Sequence, residues 1–252
     1  MSRALLDALG AREGIACLVG AGGKKTTLYA LAAAHPGPVG VTAPVMMPKF
    51  SRRLGGHEIV NAVPDLAPEI ARAAGQYRVI AWARPSEKSG RVAGIAPAEV
   101  LACHRAGGFA LTLVKADGAR MRQIKAPADD EPVLAAGTGL VIPVVGAGAI
   151  GRPLDDRVAH RPERLAAVTG LQPGAEITAE AVGRLLSADQ GALQGVGEAR
   201  VVPVINAVDD GGRRALAEQA ARVALDASDR FDRVVLTSHK DRAEPLVAVI
   251  ER

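Results

Sequence analysis

The chain has 252 residues, 48% of them hydrophobic and only 2% aromatic, which supplies one large domain with an Ala-, Val- and Leu-based core. Its 31 basic and 27 acidic residues give a net charge of +4 with no basic run interleaved with aromatics, so single-stranded nucleic acid is not the expected ligand. Two cysteines make no disulfide framework, no apolar stretch reaches the roughly 18 residues of a membrane span, and Asp7 breaks the start where a secretory signal needs an apolar core; a cytoplasmic protein is expected.

Residues 2–10 have helical spacing that ends at Gly10, and "IACLVG" (15–20) is a continuous apolar run typical of a strand buried on both faces. "KTTLYALAAAH" continues as a helix closed by Pro36, then "PVGVT" (38–42) forms a short strand followed by the loop "APVMMPKF". Helix 65–75, strand 77–83, a polar hairpin or loop over 84–95, helix 97–107 and strand 109–117 follow. Next come strand 139–146, two helices within 150–195, strand 199–210, a helix from Arg213, and strand 232–240. Apolar strands alternating with helices predict a three-layer α/β domain over residues 1–252, P-loop NTPase-like, with a mostly parallel sheet and a small helical insertion at 150–195.

The stretch "LVGAGGKKTTL" joins the first strand to its helix. In a phosphate loop, backbone N–H groups of a Gly-rich turn face the phosphates, a Lys reaches them and a Ser/Thr hydroxyl ligates Mg²⁺. Gly20, Ala21, Gly22, Gly23, Lys24, Lys25, Thr26 and Thr27 supply all of these groups, although the spacing is shorter than G-x-x-x-x-G-K-[ST]. The doubled lysine leaves open which side chain contacts phosphate. Two other readings compete: a dinucleotide fingerprint, which Lys25 opposes by standing where the third Gly belongs, and a plain structural turn. "VVGAGAIGRP" also fits G-x-G-x-x-G, but Pro153 follows at once and no helix starts there.

A phosphate loop needs a distal acid. "FALTLVKAD" is an apolar strand ending at Asp117, which with Thr26 is the expected Mg²⁺ pair, while Asp-Gly is equally a common turn. Arg120, Arg122 and Lys125 follow at the edge where parallel sheets bind ligands, as a grip for phosphoryl charge or a second anion, or as a solvated basic loop. Asn206 and Asp209 in "NAVD", with "TSHK" at 237–240, are similar to the N-K-x-D and S-A-K elements by which GTPases read guanine; Ala207 stands in place of the lysine, and an ordinary turn is the alternative. Five dispersed histidines show no ligand spacing, and both cysteines read as buried small hydrophobes.

Four blocks, "LVGAGGKKTTLYALA", "VKADGARMRQIKAPADDEPV", "VVGAGAIGRPLDDRVAHRPERLAAVTGL" and "VVPVINAVDD", resemble in sequence and order the YqeC-type proteins, accessory proteins of selenium-dependent molybdenum hydroxylases. The resemblance implies a cytoplasmic nucleotide-binding protein that helps mature or insert a labile cofactor in those enzymes. Asp117, Gly118, Arg120, Lys125, Glu131, His160, Arg161, Pro162 and Glu163 match its blocks, whereas the extra lysine and N-A-V-D depart from its G-A-G-G-K-T and N-K-x-D. Arg161 and Glu163 are candidates for a second anion or cofactor site, or for a structural ion pair at a helix start.

The leading expectation is therefore an ATP- or GTP-binding, Mg²⁺-dependent maturation factor and slow NTPase, with Lys25, Asp117 and Arg120 at its centre. Its partners would be a molybdopterin-type or selenium-containing cofactor and a hydroxylase client. A carrier without hydrolysis and a small-molecule kinase, with Asp129 or Asp130 as base, are the alternatives.

Overall fold

A computed structural model describes residues 3–240 and 244–252; Ser2, the first residue of the expected amino-terminal helix, lies outside them. In chain order the elements are α1 (Ala4–Leu9), β1 (Gly14–Gly20), α2 (Lys24–Ala34), β2 (Val39–Thr42), β3 (Met47–Pro48), β4 (His57–Val60), α3 (Ala67–Ala74), β5 (Val79–Pro85), β6 (Arg91–Ala93), α4 (Pro97–Ala106) and β7 (Leu111–Lys115). They continue with β8 (Ile124–Lys125), β9 (Thr138–Gly146), β10 (Ala159–His160), α5 (Pro162–Thr169), α6 (Ala179–Ser187), β11 (Arg200–Val201), β12 (Val204–Asn206), α7 (Gly211–Ala227), β13 (Arg233–Thr237) and β14 (Leu246–Glu251).

The main sheet of the described residues runs β14-β13-β12-β9-β1-β7-β2-β5-β6-β3, with β11 beside β9 and β4 beside β5. Every central pairing is parallel; β14 on β13 and the β5–β6–β3 corner are antiparallel. Successive strand residues point to opposite faces. Ile15, Cys17 and Val19 of β1 therefore join the apolar layer of α3 to α7, while Ala16 and Leu18 join that of α1 and α2. The result is an α/β fold with helices on both faces of a mostly parallel sheet, as the alternation of apolar runs predicts.

Several elements differ from the sequence reading, among them β4 and β8, which it left without an element. The single strand expected over 199–210 is two, because Pro203 has no N–H to continue the ladder between β11 and β12. The loop at 43–50 contains β3, and the carboxyl-terminal segment, left without an element, is β14. Segment 150–195 is not purely helical: β10 pairs with β8, and α6 packs along α7 within the layer below the sheet. Local signals set the helix starts. Thr178 and Asp210 accept N–H groups of Ala181 and Arg213, and α3, α4 and α5 each begin with a proline in the first turn.

Candidate functional site

The carboxyl ends of β1, β7, β9, β12 and β13 meet around residues 20–27, at the edge where open parallel sheets bind ligands. The loop is locked from below. Gly20 N–H donates to Asp117 Oδ2 (2.8 Å), Ala21 N–H to Val144 O (2.8 Å), Gly22 N–H to Arg122 O (3.0 Å), and Asn206 Nδ2 to Gly22 O (2.7 Å). The glycines are needed because the neighbours are so near. A Cβ at Gly22 would collide with Gly146 N and Gln123 O, and one at Gly23, where φ is 140°, with the Asn206 amide.

Above this lock the helix begins. The first α2 bond of the main chain runs from Thr27 N–H to Gly23 O, and among the described residues no group accepts from the N–H of Gly23, Lys24, Lys25 or Thr26. Four open donors and the positive end of a helix dipole make an anion site.

The structure separates the two lysines. Lys24 points inward, 5% exposed, with Nζ donating to Gly20 O and lying 2.9 Å from Asp117 Oδ1. The approach to Oδ1 is an ion pair without hydrogen-bond alignment, so Oδ1 keeps an unfilled acceptor position. Lys25 turns about 100° away along the helix. Its Nζ donates to Lys49 O (3.0 Å) and lies 5.3 Å from the Tyr29 ring, whose hydroxyl accepts from Ser51 N–H. Lys24, and not the expected Lys25, is therefore the lysine that faces Asp117 beneath the loop, and Lys25 secures the 49–51 segment. Thr26 is exposed two residues beyond Lys24, where side chains do not share a face, so it does not meet Asp117. Thr27 is buried, with Oγ1 3.4 Å from His239 Nε2.

A buried ionic network sits beneath the loop. Lys125, its side chain 1% exposed, donates to Asp117 Oδ2 (2.8 Å) and Gly118 O (2.6 Å) and lies 2.7 Å from Glu131 Oε2 in a second ion pair. It is a tie within the protein and not the free anion grip expected from sequence. Arg161, in the left-handed region at φ 65°, donates to Glu131 Oε2 (2.7 Å); its carboxylate partner is Glu131 and not Glu163. Arg164 forks onto Asp129 (2.8 Å twice), which occupies that candidate base at the surface. Arg120 and Met121 also have left-handed backbones, in a turn where Arg122 N–H donates to Ala119 O and Met121 is 95% exposed. Lys115 was missed from sequence because it reads as the end of an apolar strand; its Nζ donates to Asp117 O.

Lys24, Lys115, Lys125 and Arg161 thus place four positive charges around the two carboxylates of Asp117 and Glu131. Burial, and then the neighbouring Lys24, bring the Lys115 ammonium down to about 8. Burial also lowers Lys24, against the opposing pull of Asp117. Burial raises the Glu131 carboxyl, but Lys125 and Arg161 outweigh it and hold the group at about 2. His160 is lowered by burial and then by Arg161, Lys125 and Arg120.

Asn206, expected to read a base, instead supports the loop: besides donating to Gly22 it accepts from Thr237 Oγ1 (3.0 Å). Asp209 is the exposed carboxylate of the pair, held by Ser238 Oγ (2.6 Å) and Arg213 Nη1 (3.1 Å). The G-x-G-x-x-G match at Gly146, Gly148 and Gly151 leads into a short 3₁₀ turn at Ala147–Ala149 and no α-helix. As arranged, Asp117 and Thr26 do not fit a magnesium ion, since Asp117 already faces two ammoniums and Thr26 points elsewhere.

Comparison with known proteins decides the family. A family model described as YqeC protein matches residues 16–163. The chain belongs to the YqeC family. The match contains the loop, Asp117, Lys125, Glu131 and Arg161, and stops before Asn206, Asp209 and Ser238. The chain is also 31% identical over 107 residues to "Uncharacterized protein YqeC" of Escherichia coli (strain K12). That alignment covers 42% of this chain and 42% of the relative, so under half of the relative's length is matched. Among the described residues of this YqeC-family chain, no helix is long and apolar enough to cross a membrane.

Proposed function

We propose that this YqeC-family protein binds a nucleoside triphosphate, ATP or GTP, through the amino terminus of α2. The observation that supports this most directly is the pairing of four open N–H groups at Gly23–Thr26 with the inward-pointing, excess positive charge of Lys24. In the resting protein Asp117 and Gly20 O hold Lys24; an arriving phosphate offers that ammonium a stronger, doubly charged partner. Asp209 is exposed with its carboxylate held by Ser238 Oγ and Arg213; on this reading the N1 and N2 groups of guanine displace those donors, which makes GTP the preferred nucleotide. Magnesium would arrive bound to the phosphates and not in a preformed protein cage.

The resemblance to accessory proteins of selenium-dependent molybdenum hydroxylases supports the wider role: a cytoplasmic maturation factor whose nucleotide state controls delivery of a molybdopterin-type or selenium-containing cofactor to its client. Slow hydrolysis fits a site without a free carboxylate base, since Asp117 and Glu131 are both in ion pairs. The test is calorimetry with ATP and GTP, with and without Mg²⁺, on wild type, Lys24→Met and Lys25→Ala. Loss of one charge-assisted phosphate contact of about 1.5–3 kcal/mol lowers affinity roughly 10- to 100-fold in Lys24→Met, while Lys25→Ala stays near wild type. Equal affinity in wild type and Lys24→Met would refute the phosphate site.

A further inference from the structure

The lysines around Asp117 are not equivalent. Lys125 is ion-paired with both Asp117 and Glu131 and also donates to Gly118 O, and Lys24 is shared between Gly20 O and Asp117 Oδ1. Lys115 donates only to a main-chain carbonyl, that of Asp117, and among the described residues it forms no ion pair with a carboxylate. Two of its three protons are therefore unspent. It is also only half-buried, so the ammonium is within reach of a ligand.

Its place in the sheet gives the direction of that ligand. Lys115 is the last residue of β7 and lies beside Leu18 of β1, two residues before the loop begins. Asp209 and Ser238 follow β12 and β13, which lie on the other side of β1 beyond β9. A nucleotide whose base rests at Asp209 and whose first phosphates meet the α2 terminus extends its phosphate chain across β1 toward β7. The group that arrives at Lys115 is then the outermost phosphate. The charges agree, because four cations against two carboxylates leave an excess of two, matching the roughly −1.5 to −2 of a terminal phosphate at neutral pH.

We propose that Lys115 receives the terminal phosphate of a bound nucleoside triphosphate and so makes the site discriminate triphosphate from diphosphate. This rests on the nucleotide reading above and extends it. The protein would report the state of its nucleotide through a lysine outside the phosphate loop, with Lys24 and the helix terminus holding the phosphates common to both forms.

The experiment is calorimetry of the full chain with GDP and with the β,γ-imido analogue of GTP, comparing wild type, Lys115→Met and Lys115→Gln, with circular dichroism as a check on folding. Wild type should prefer the triphosphate analogue by about tenfold or more, one charge-assisted contact. In both neutral variants that ratio should fall toward one, while GDP affinity stays within about threefold. Lys115→Gln serves the same purpose if the methionine variant does not fold. An unchanged ratio in the folded variants, or a wild type that binds both ligands equally, overturns the role of Lys115 and leaves the phosphate loop standing. Binding of neither ligand to wild type overturns the loop reading, and this one with it.

Discussion

Replacing Asp117 by Asn tests whether the network beneath the loop is organised by its shortage of negative charge. Asp117 is 2% exposed and faces Lys24, Lys125 and the Gly20 N–H at 2.8–2.9 Å. Asparagine keeps an oxygen for Gly20 but removes the charge, leaving three lysines with Glu131 as the remaining carboxylate of the cluster. Breaking a buried ion pair by removing one partner costs about 3–5 kcal/mol, because the other charge stays desolvated. The retained Gly20 contact favours the low end, about 3 kcal/mol. For a chain of this size each kcal/mol moves the thermal midpoint by about 2–4 °C, so a fall of about 6–12 °C is expected.

The control runs the other way. Lys115→Met removes an ammonium that has one main-chain hydrogen bond and feels repulsion from Lys24 and Lys125 against the pull of Asp117 and Glu131. Its stability should stay within about 1 kcal/mol of wild type, since relief of repulsion offsets the lost bond. In the double variant Lys115→Met should recover about 1 kcal/mol of the Asp117→Asn loss, a coupling that distant, independent sites do not show. The assay is urea and thermal unfolding at neutral pH and low salt, without nucleotide. If Asp117→Asn costs less than about 1 kcal/mol, or Lys115→Met costs as much as Asp117→Asn, the charge excess does not organise the site and the reasoning fails.

Three further outcomes follow from the same geometry. Gly23→Ala should abolish nucleotide binding in calorimetry and cost about 1–3 kcal/mol of stability, because φ of 140° and the Asn206 amide leave no room for a Cβ. Both cysteines are buried; burial raises the Cys17 thiol and pushes Cys103 up to about 12, so mass spectrometry should find neither alkylated by iodoacetamide at neutral pH until urea is added. Glu131, held at about 2 against an ordinary 4.5, stabilises the fold fully above pH 4.5 and loses that contribution as the pH falls through this range toward about 2. The full shift corresponds to about 3.4 kcal/mol, which solvent screening reduces to on the order of 2 kcal/mol, and acid titration of unfolding should show this loss blunted in Glu131→Gln.

What could be read from the sequence was whatever depends on neighbours along the chain. "IACLVGAGGKK" carries its strand, its break and its helix start within eleven residues, and the alternating apolar runs carry the sheet. The boundaries that escaped depend on local exceptions or on pairing. Pro203 interrupts a run that is otherwise uniformly apolar, and β14 exists because β13 offers it an antiparallel edge.

The site was legible only in part, for a reason visible in its lysines. Two consecutive lysines at a helix start point about 100° apart, so only one can face the carboxylate from β7, and nothing within "GGKKTT" says which. That choice is made 93 residues away, by Asp117. Asn206 carries the same lesson: its spacing to Asp209 suggests a joint reader of a base, but the close approach of Gly22 and Thr237 engages its amide and leaves Asp209 to face outward. Lys115 alone had a local signal. In a strand that continues as "V-K-A-D", a lysine two residues before the acid lies on the same face as that acid, so a charge at the end of an apolar strand was the mark of a second cation at the loop.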